Sequence, residues 1–230
     1  MTQHSQPGAF TQRRAGILLH PTSLPGSGDC GGLGVEAFRF VDFLAASGIG
    51  VWQMLPLGPT HSDRSPYQCT SVHAGNPRMI CLRRLVEWGW LEANHDPDDD
   101  CGDHARTQQM QASYAGFLRN ASDEERASYD AFRETHNAWL EDYALYEALR
   151  ADQRHRGWFT WPRPLRDRDP QALAEARNRL AAQIDQVRFI QYVFFRQWHQ
   201  LRDYANERGV LLFGDVPIFV AEDSADVWAN

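Results

Sequence analysis

Residues 49–77 read IGVWQMLPLGPTHSDRSPYQCTSVHAGNP. They open as a short buried strand, Val51-Trp52-Gln53-Met54-Leu55-Pro56, bounded by Gly50 before it and the Gly58-Pro59 turn after it. The pattern then turns polar: Ser62, Asp63, Arg64, Ser65, Tyr67, Gln68 and Asn76 follow in a loop punctuated by Pro66, Gly75 and Pro77. A rigid strand that delivers hydrogen-bonding groups and an aromatic ring to one loop is a common way to build a site for a polar ligand. The same composition also fits a strand followed by an ordinary solvated loop, so the flanking segments have to decide.

Upstream, Ala15-Gly16-Ile17-Leu18-Leu19-His20 forms a short apolar strand, and Pro21 and Pro25 force an extended exit. His20 sits at the C-terminal end of that strand, where α/β folds place their sites, although a lone histidine there is more often structural. Val35, Phe38, Val41, Leu44 and Ala45 form a helical stripe over Val35–Ala46 that Gly48 terminates. Strand, loop, helix and strand with short joints make a βαβ crossover, hence parallel strands with helices outside. Between them, Gly26-Ser27-Gly28-Asp29-Cys30-Gly31 matches G-x-G-x-x-G. In a dinucleotide fold the first glycine follows the strand directly and the phosphates lie on the helix start. Here Pro21-Thr22-Ser23-Leu24-Pro25 intervene, and the second strand ends in proline with no acidic ribose ligand, so the nucleotide reading is rejected.

Downstream the character changes. A short Trp-rich helix is expected within Met79–Leu91, then an acidic loop from Asn94 to Asp103 that lacks EF-hand spacing. Ser122-Asp123-Glu124-Glu125 reads as a capping box opening one long helix to about Arg150. Its stripe of Tyr129, Phe132, His136, Trp139, Tyr143 and Tyr146 fits a packed core face better than a sugar groove. Trp158, Trp161, Pro162 and Pro164 mark a loop, and Asp169-Pro170 supplies an N-cap and N1 proline for a second long helix to about Arg208. Its buried stripe is Leu173, Leu180, Ile184, Val187, Gln191, Phe194, Trp198 and Leu201. Gly209 ends it, and Val210-Leu211-Leu212-Phe213-Gly214-Asp215 is a third strand whose last residue is a site candidate by position. No helix is expected after that strand. The organisation is therefore an N-terminal arm (1–14), strands one and two with the polar loop (15–77), a helical insertion (78–208), and strand three with its following loop (209–230).

Composition narrows the function. At 230 residues the chain can hold one or two domains with a full core. A net charge of −7 disfavours a general nucleic-acid or membrane-surface binder. All 23 basic residues are arginine, which excludes a Schiff-base or P-loop lysine here. Cys30, Cys69, Cys81 and Cys101 are scattered without close pairs or histidine partners, against a zinc site and consistent with reduced thiols. The N-terminus has no apolar signal region and no stretch approaches a membrane span, so a cytoplasmic location is expected.

Four segments together resemble one family: Gly16–Pro25 (GILLHPTSLP), Trp52–Thr60 (WQMLPLGPT), Ser65–Gln68 (SPYQ) with Ala74–Pro77 (AGNP), and Gly214–Asn230 (GDVPIFVAEDSADVWAN). The sequence resembles amylomaltases, the 4-α-glucanotransferases or disproportionating enzymes of glycoside hydrolase family 77, throughout the chain after the arm. The resemblance implies an α/β fold, the first three parallel strands of a TIM (β/α)8 barrel with a largely helical insertion between strands two and three. It implies retaining transfer of α-1,4-glucan segments between maltooligosaccharides, in which one carboxylate attacks the anomeric carbon and a second acid protonates the leaving oxygen. No cofactor is required, because the glycosidic bond carries the energy, and no nucleic acid or membrane partner is implied. By the same resemblance Tyr67 stacks on the sugar at the cleavage point, Ser65 and Gln68 line the same subsites, and Asp215 lies at the floor of the cleft; His20, from its place at the strand end, is taken with them as a substrate-binding candidate. The family's nucleophile, acid/base and third carboxylate fall on later strands with no equivalent here. The chain is therefore expected to be an N-terminal fragment, inactive by itself. A freestanding glucan-binding module is the alternative, disfavoured because three parallel strands would leave an open edge and an uncovered apolar face.

Overall fold

The computed structural model describes residues 13–25, 31–93 and 103–230. The arm up to residue 12, most of the glycine-rich match (26–30) and the acidic run 94–102, with Cys30 and Cys101, lie outside these residues.

Three short strands, β1 (Gly16–Leu18), β2 (Val51–Gln53) and β3 (Leu211–Phe213), form one parallel sheet in the order β1-β2-β3. Gly16 pairs with Val51 and Val51 with Leu211, and the ladder closes at Leu18, Gln53 and Phe213. Because side chains alternate along a strand, Ile17, Trp52 and Leu212 share one face and pack into the core. Leu18 and Phe213 point the other way and are 56% and 45% exposed. The sheet thus has one covered face and one open face. Trp52 anchors the covered one: it is fully buried, donates its indole N–H to the Leu19 carbonyl at 2.7 Å, and meets Phe40 edge-on.

The crossover from β1 to β2 runs through α1 (Val35–Ala46), as the stripe predicts, with Ala37, Val41 and Leu44 buried. Between β2 and β3 lie α2 (Leu82–Glu87), α3 (Asp103–Asn120), α4 (Asp123–Thr135), α5 (Asn137–Asp152), α6 (Arg163–Arg166), α7 (Pro170–Arg179) and α8 (Ala181–Glu207). A short α9 (Ala225–Ala229) follows β3, capped by the Ser224 hydroxyl on the Val227 N–H. Helix α8, 27 residues long, spans about 40 Å. It packs against α1, α3, α4, α5, α7 and β3 and holds the molecule together.

Four sequence expectations need correction. The single helix from Ser122 to Arg150 is two helices: the capping box is present, but the backbone leaves helical geometry at His136 (φ −103°, ψ 8°). The weak helix formers Thr135, His136 and Asn137 make the break cheap. The His136 ring then holds it, stacking on Phe195 and accepting from the Trp139 indole at 3.3 Å. The second long helix, capped by Asp169 and Pro170 as expected, is likewise interrupted at Leu180 (φ −106°, ψ 17°). There the buried Leu180 side chain joins Leu173, Ala176 and Ile184 in a second hydrophobic cluster, whereas Phe189, Tyr192 and Phe194 of α8 belong to the first. Helix α3 carries almost no amphipathic signal and was not anticipated from the sequence. Helix α9 contradicts the expectation that nothing helical follows the third strand. The aromatic stripe of α4 and α5 is a core face: Tyr129, Tyr143 and Tyr146 are buried, and Tyr129 meets Phe117 and Tyr192 at 5.5 and 5.4 Å.

Candidate functional site

The C-terminal ends of β2 and β3 lie side by side, and the loops leaving them meet. After β2 the chain runs extended, with the Met54 N–H donating to the Phe213 carbonyl at 2.9 Å, then enters the polar loop. That loop is a closed clasp. Thr60 and Cys69 bridge across its neck, the His61 N–H donates to the Gln68 carbonyl, and the Thr70 N–H donates to the Pro59 carbonyl. Inside it, the Asp63 carboxylate accepts from the Ser65 N–H at 3.2 Å, and the Gln68 N–H closes a turn on the Ser65 carbonyl at 3.1 Å. Arg64 sits in the left-handed region (φ 57°), a conformation a non-glycine residue keeps only when its surroundings fix it.

This turn presents Tyr67 outward, 46% exposed. Its phenol donates to Asp215 Oδ2 at 2.9 Å, from the other loop, which pushes the phenol's pKa above its ordinary value. Asp215 Oδ1 accepts from the Val216 N–H at 2.8 Å. The structure therefore joins the two residues that sequence reading placed 148 positions apart. Ser65 and Gln68 share the Tyr67 turn, and their side chains make no hydrogen bond among the described residues. His20 is placed differently. Its Nδ1 lies 2.6 Å from the Thr22 hydroxyl and caps the 3-10 turn at Pro21–Ser23, while Nε2 lies 3.3 Å from the Pro56 carbonyl. Burial lowers its pKa. A neutral ring that accepts at Nδ1 and donates at Nε2 satisfies both contacts, so His20 ties the end of β1 to the exit of β2.

Beside Asp215 a cleft of about 240 Å³ opens between the sheet and α8, lined by Met54, Leu57, His73, Phe195, Trp198 and Asp215 among others. Its wall includes the 71–77 segment, held by contacts that sequence reading missed. Gln191, fully buried on α8, accepts from the Gly75 N–H at 2.8 Å and donates to the Gly75 carbonyl at 3.0 Å. Gln197 repeats this on Cys81, at 2.8 and 3.0 Å. Each amide acts as a single residue of strand for a backbone that has no strand neighbour. Glycine is required at position 75, because a Cβ there would lie 1.9 Å from Phe194. At the other end, the Asp226 carboxylate of α9 accepts from the Val72 N–H at 2.8 Å and the Ser71 hydroxyl at 3.3 Å. A polar residue in the apolar stripe of α8 was the one sequence signal for Gln191; nothing local marks Asp226.

Beneath the clasp lies a half-buried ionic group. The carboxylate of Asp223 accepts from the Tyr146 hydroxyl at 2.8 Å and from the Trp158 N–H at 3.2 Å. Burial pushes the Glu147 carboxyl above its ordinary value, against the opposing pull of the Arg150 charge. Among the described residues no group of three or more His, Cys, Asp or Glu is placed to hold a metal ion, and no helix is long and apolar enough to cross a membrane.

Comparison with known proteins gives a consistent result. The family described as 4-alpha-glucanotransferase matches residues 19–230. The 4-alpha-glucanotransferase of Thermus thermophilus is 46% identical over 225 residues, covering 95% of this chain and 45% of that protein. The 4-alpha-glucanotransferase of Synechocystis is 41% identical over 229 residues, with the same two shares. Among solved structures, the amylomaltase from Streptococcus agalactiae in complex with acarbose superposes with a TM-score of 0.86 at 32% identity, over 94% of this chain and 46% of that one. The chain thus spans about 45% of the length of these curated relatives. With the family profile covering nearly all of it and the fold agreeing, the chain belongs to the 4-alpha-glucanotransferase family.

Proposed function

We propose that these residues form the first part of a retaining 4-α-glucanotransferase that moves α-1,4-glucan segments between maltooligosaccharides. In this reading the sheet is the first three strands of a (β/α)8 barrel, and α2 to α8 are a largely helical insertion ahead of strand three. The exposed Leu18 and Phe213 on one sheet face, and the place of β3 at the end of the strand order, fit an interior face and closure edge of such a barrel.

The observation that carries the proposal is the Tyr67–Asp215 contact at the C-terminal ends of parallel strands, where barrel enzymes assemble their sites. Tyr67 offers a ring face to the apolar side of a glucose unit and a hydroxyl at its edge. Ser65 and Gln68, whose side chains are without hydrogen-bond partners among the described residues, supply hydrogen bonds to sugar hydroxyls in the same subsites. Asp215 orients the Tyr67 phenol and borders the cleft, and His20 supports the cleft floor by fixing the strand ends. A saccharide ligand is consistent with the acarbose complex of the S. agalactiae relative. In the reaction, a carboxylate attacks the anomeric carbon as an acid protonates the departing oxygen, and the 4-hydroxyl of a second glucan then releases the glycosyl-enzyme. We assign none of these reacting carboxylates to residues 1–230.

The test uses the purified chain with maltotriose. Binding that falls at least tenfold on Tyr67→Ala, with no glucose released, is the expected result. Affinity unchanged by Tyr67→Ala overturns the stacking role, and glucose release by residues 1–230 overturns the assignment of the carboxylates.

A further inference from the structure

The clasp that carries Tyr67 and the loop that carries Asp215 are joined twice. The exposed join is the Tyr67–Asp215 hydrogen bond. The second lies beneath it and runs through α5. Arg150, its side chain 17% exposed, places one terminal guanidinium nitrogen 3.3 Å from His61 Nδ1 and 3.7 Å from Asp223 Oδ2. His61 is the first residue inside the neck of the clasp: its N–H donates to Gln68, and its carbonyl accepts from Arg64 at 3.0 Å. Asp223 lies eight residues past Asp215 on the loop after β3, and its other oxygen is held by Tyr146 and the Trp158 N–H. A single guanidinium therefore ties the root of the clasp to a carboxylate already fixed from two sides.

The surroundings argue against a purely stabilising role. Arg150 Nε is shielded from solvent without a hydrogen-bond partner among the described residues. An apolar side chain in place of such a charge group is often neutral or stabilising, because desolvating ions costs more than imperfect pairing returns. What an apolar side chain cannot supply is a charged N–H donor set between the His61 ring and the Asp223 carboxylate. The clasp needs such a tether, since it contains a left-handed Arg64.

We propose that Arg150 is a positioning residue for Tyr67: by bridging His61 and Asp223 it sets the place of the Tyr67 ring relative to Asp215 and thereby the affinity for a glucan chain. The inference rests on the reading of Tyr67 as the sugar platform, and its test separates the two.

Maltotriose affinity is measured for the wild-type chain, Arg150→Met, Arg150→Lys, Tyr67→Ala and the double variant Arg150→Met/Tyr67→Ala. In parallel, amide hydrogen exchange is followed at His61, Arg64 and Gln68, with α8 amides as the internal control. The expected result is about tenfold weaker binding in Arg150→Met and partial recovery in Arg150→Lys. No further loss should appear when Arg150→Met is added to Tyr67→Ala. Exchange at the three clasp amides rises about tenfold while α8 is unchanged. A loss of the same size with and without Tyr67 means that Arg150 does not act through that ring, and it overturns the proposal. So does unchanged clasp exchange, or exchange that rises in α8 as well. If the wild-type chain does not bind maltotriose, the glucan reading fails, and the exchange data still decide whether Arg150 holds the clasp.

Discussion

Replacing Gln191 by leucine removes the two hydrogen bonds that hold Gly75 to α8, at 2.8 and 3.0 Å, in a position with no solvent exposure. Water cannot take over either bond, so the Gly75 N–H and carbonyl are left unpaired. An orphaned buried polar group costs about 1–3 kcal/mol, giving about 2–6 kcal/mol for the two. The variant no longer has to bury an amide, which returns about 1–2 kcal/mol. Taking mid-values, about 4 less about 1.5, the net loss is about 2.5 kcal/mol. For a chain of this size each kcal/mol moves the thermal midpoint by about 2–4 °C, so the drop is about 5–10 °C. Scanning calorimetry of Gln191→Leu against Gln200→Leu, an exposed position on the same helix, isolates the effect. If both variants melt together, the clamp contributes nothing and the account of the 71–77 wall is refuted.

Gly75→Ala pushes a Cβ to 1.9 Å from the Phe194 ring, and overpacking of this kind costs about 1–3 kcal/mol; a thermal midpoint equal to wild type would contradict it. Glu147 is held above its ordinary value of 4.5 chiefly by burial, so the fold prefers its protonated form. That preference stabilises fully below pH 4.5 and is lost as the pH rises through the raised folded value. Glu147→Gln should therefore melt higher than wild type at pH 7 and show a flatter stability profile above pH 4.5, as urea titrations at several pH values will show. For His20 the sign is reversed: burial lowers its pKa below 6.5, so its stabilisation is present above pH 6.5 and fades as the pH falls through the lowered value. His20→Asn, which keeps a capping acceptor, should lose part of the acid-side decline; an identical profile would show that His20 has no share in it.

Much of the fold was legible because it is written in short periods. The apolar run at residues 15–20, the stripe of Val35–Ala46 and the apolar segments at 51–55 and 210–213 each report their own geometry, and proline and glycine mark the joints. The left-handed Gly209 (φ 73°) that ends α8 is of this kind. Tyr67 and Asp215 were readable as candidates, the first from its loop and the second from its strand end. Their hydrogen bond was not, because nothing in either segment encodes a partner so far along the chain.

The breaks at His136 and Leu180 show where local reading stops. A helical stripe continues through both positions. At His136 the two halves pack into different hydrophobic clusters, α4 in the first and α5 in the second, whereas at Leu180 the buried leucine draws residues of both flanking helices into the second. The same holds for the site wall. Gln191 and Gln197 reach backbone groups 116 residues away, Arg150 reaches His61 across 89, and Asp226 reaches Val72 across 154. Sequence alone determined the three strands, their parallel sheet and the first crossover helix, and it marked Tyr67 and Asp215 as candidates, since propensity and periodicity act over a few residues. Tertiary structure decided how the two loops meet and what holds them, because a buried backbone group without a strand neighbour must find its partner wherever the packed chain brings one.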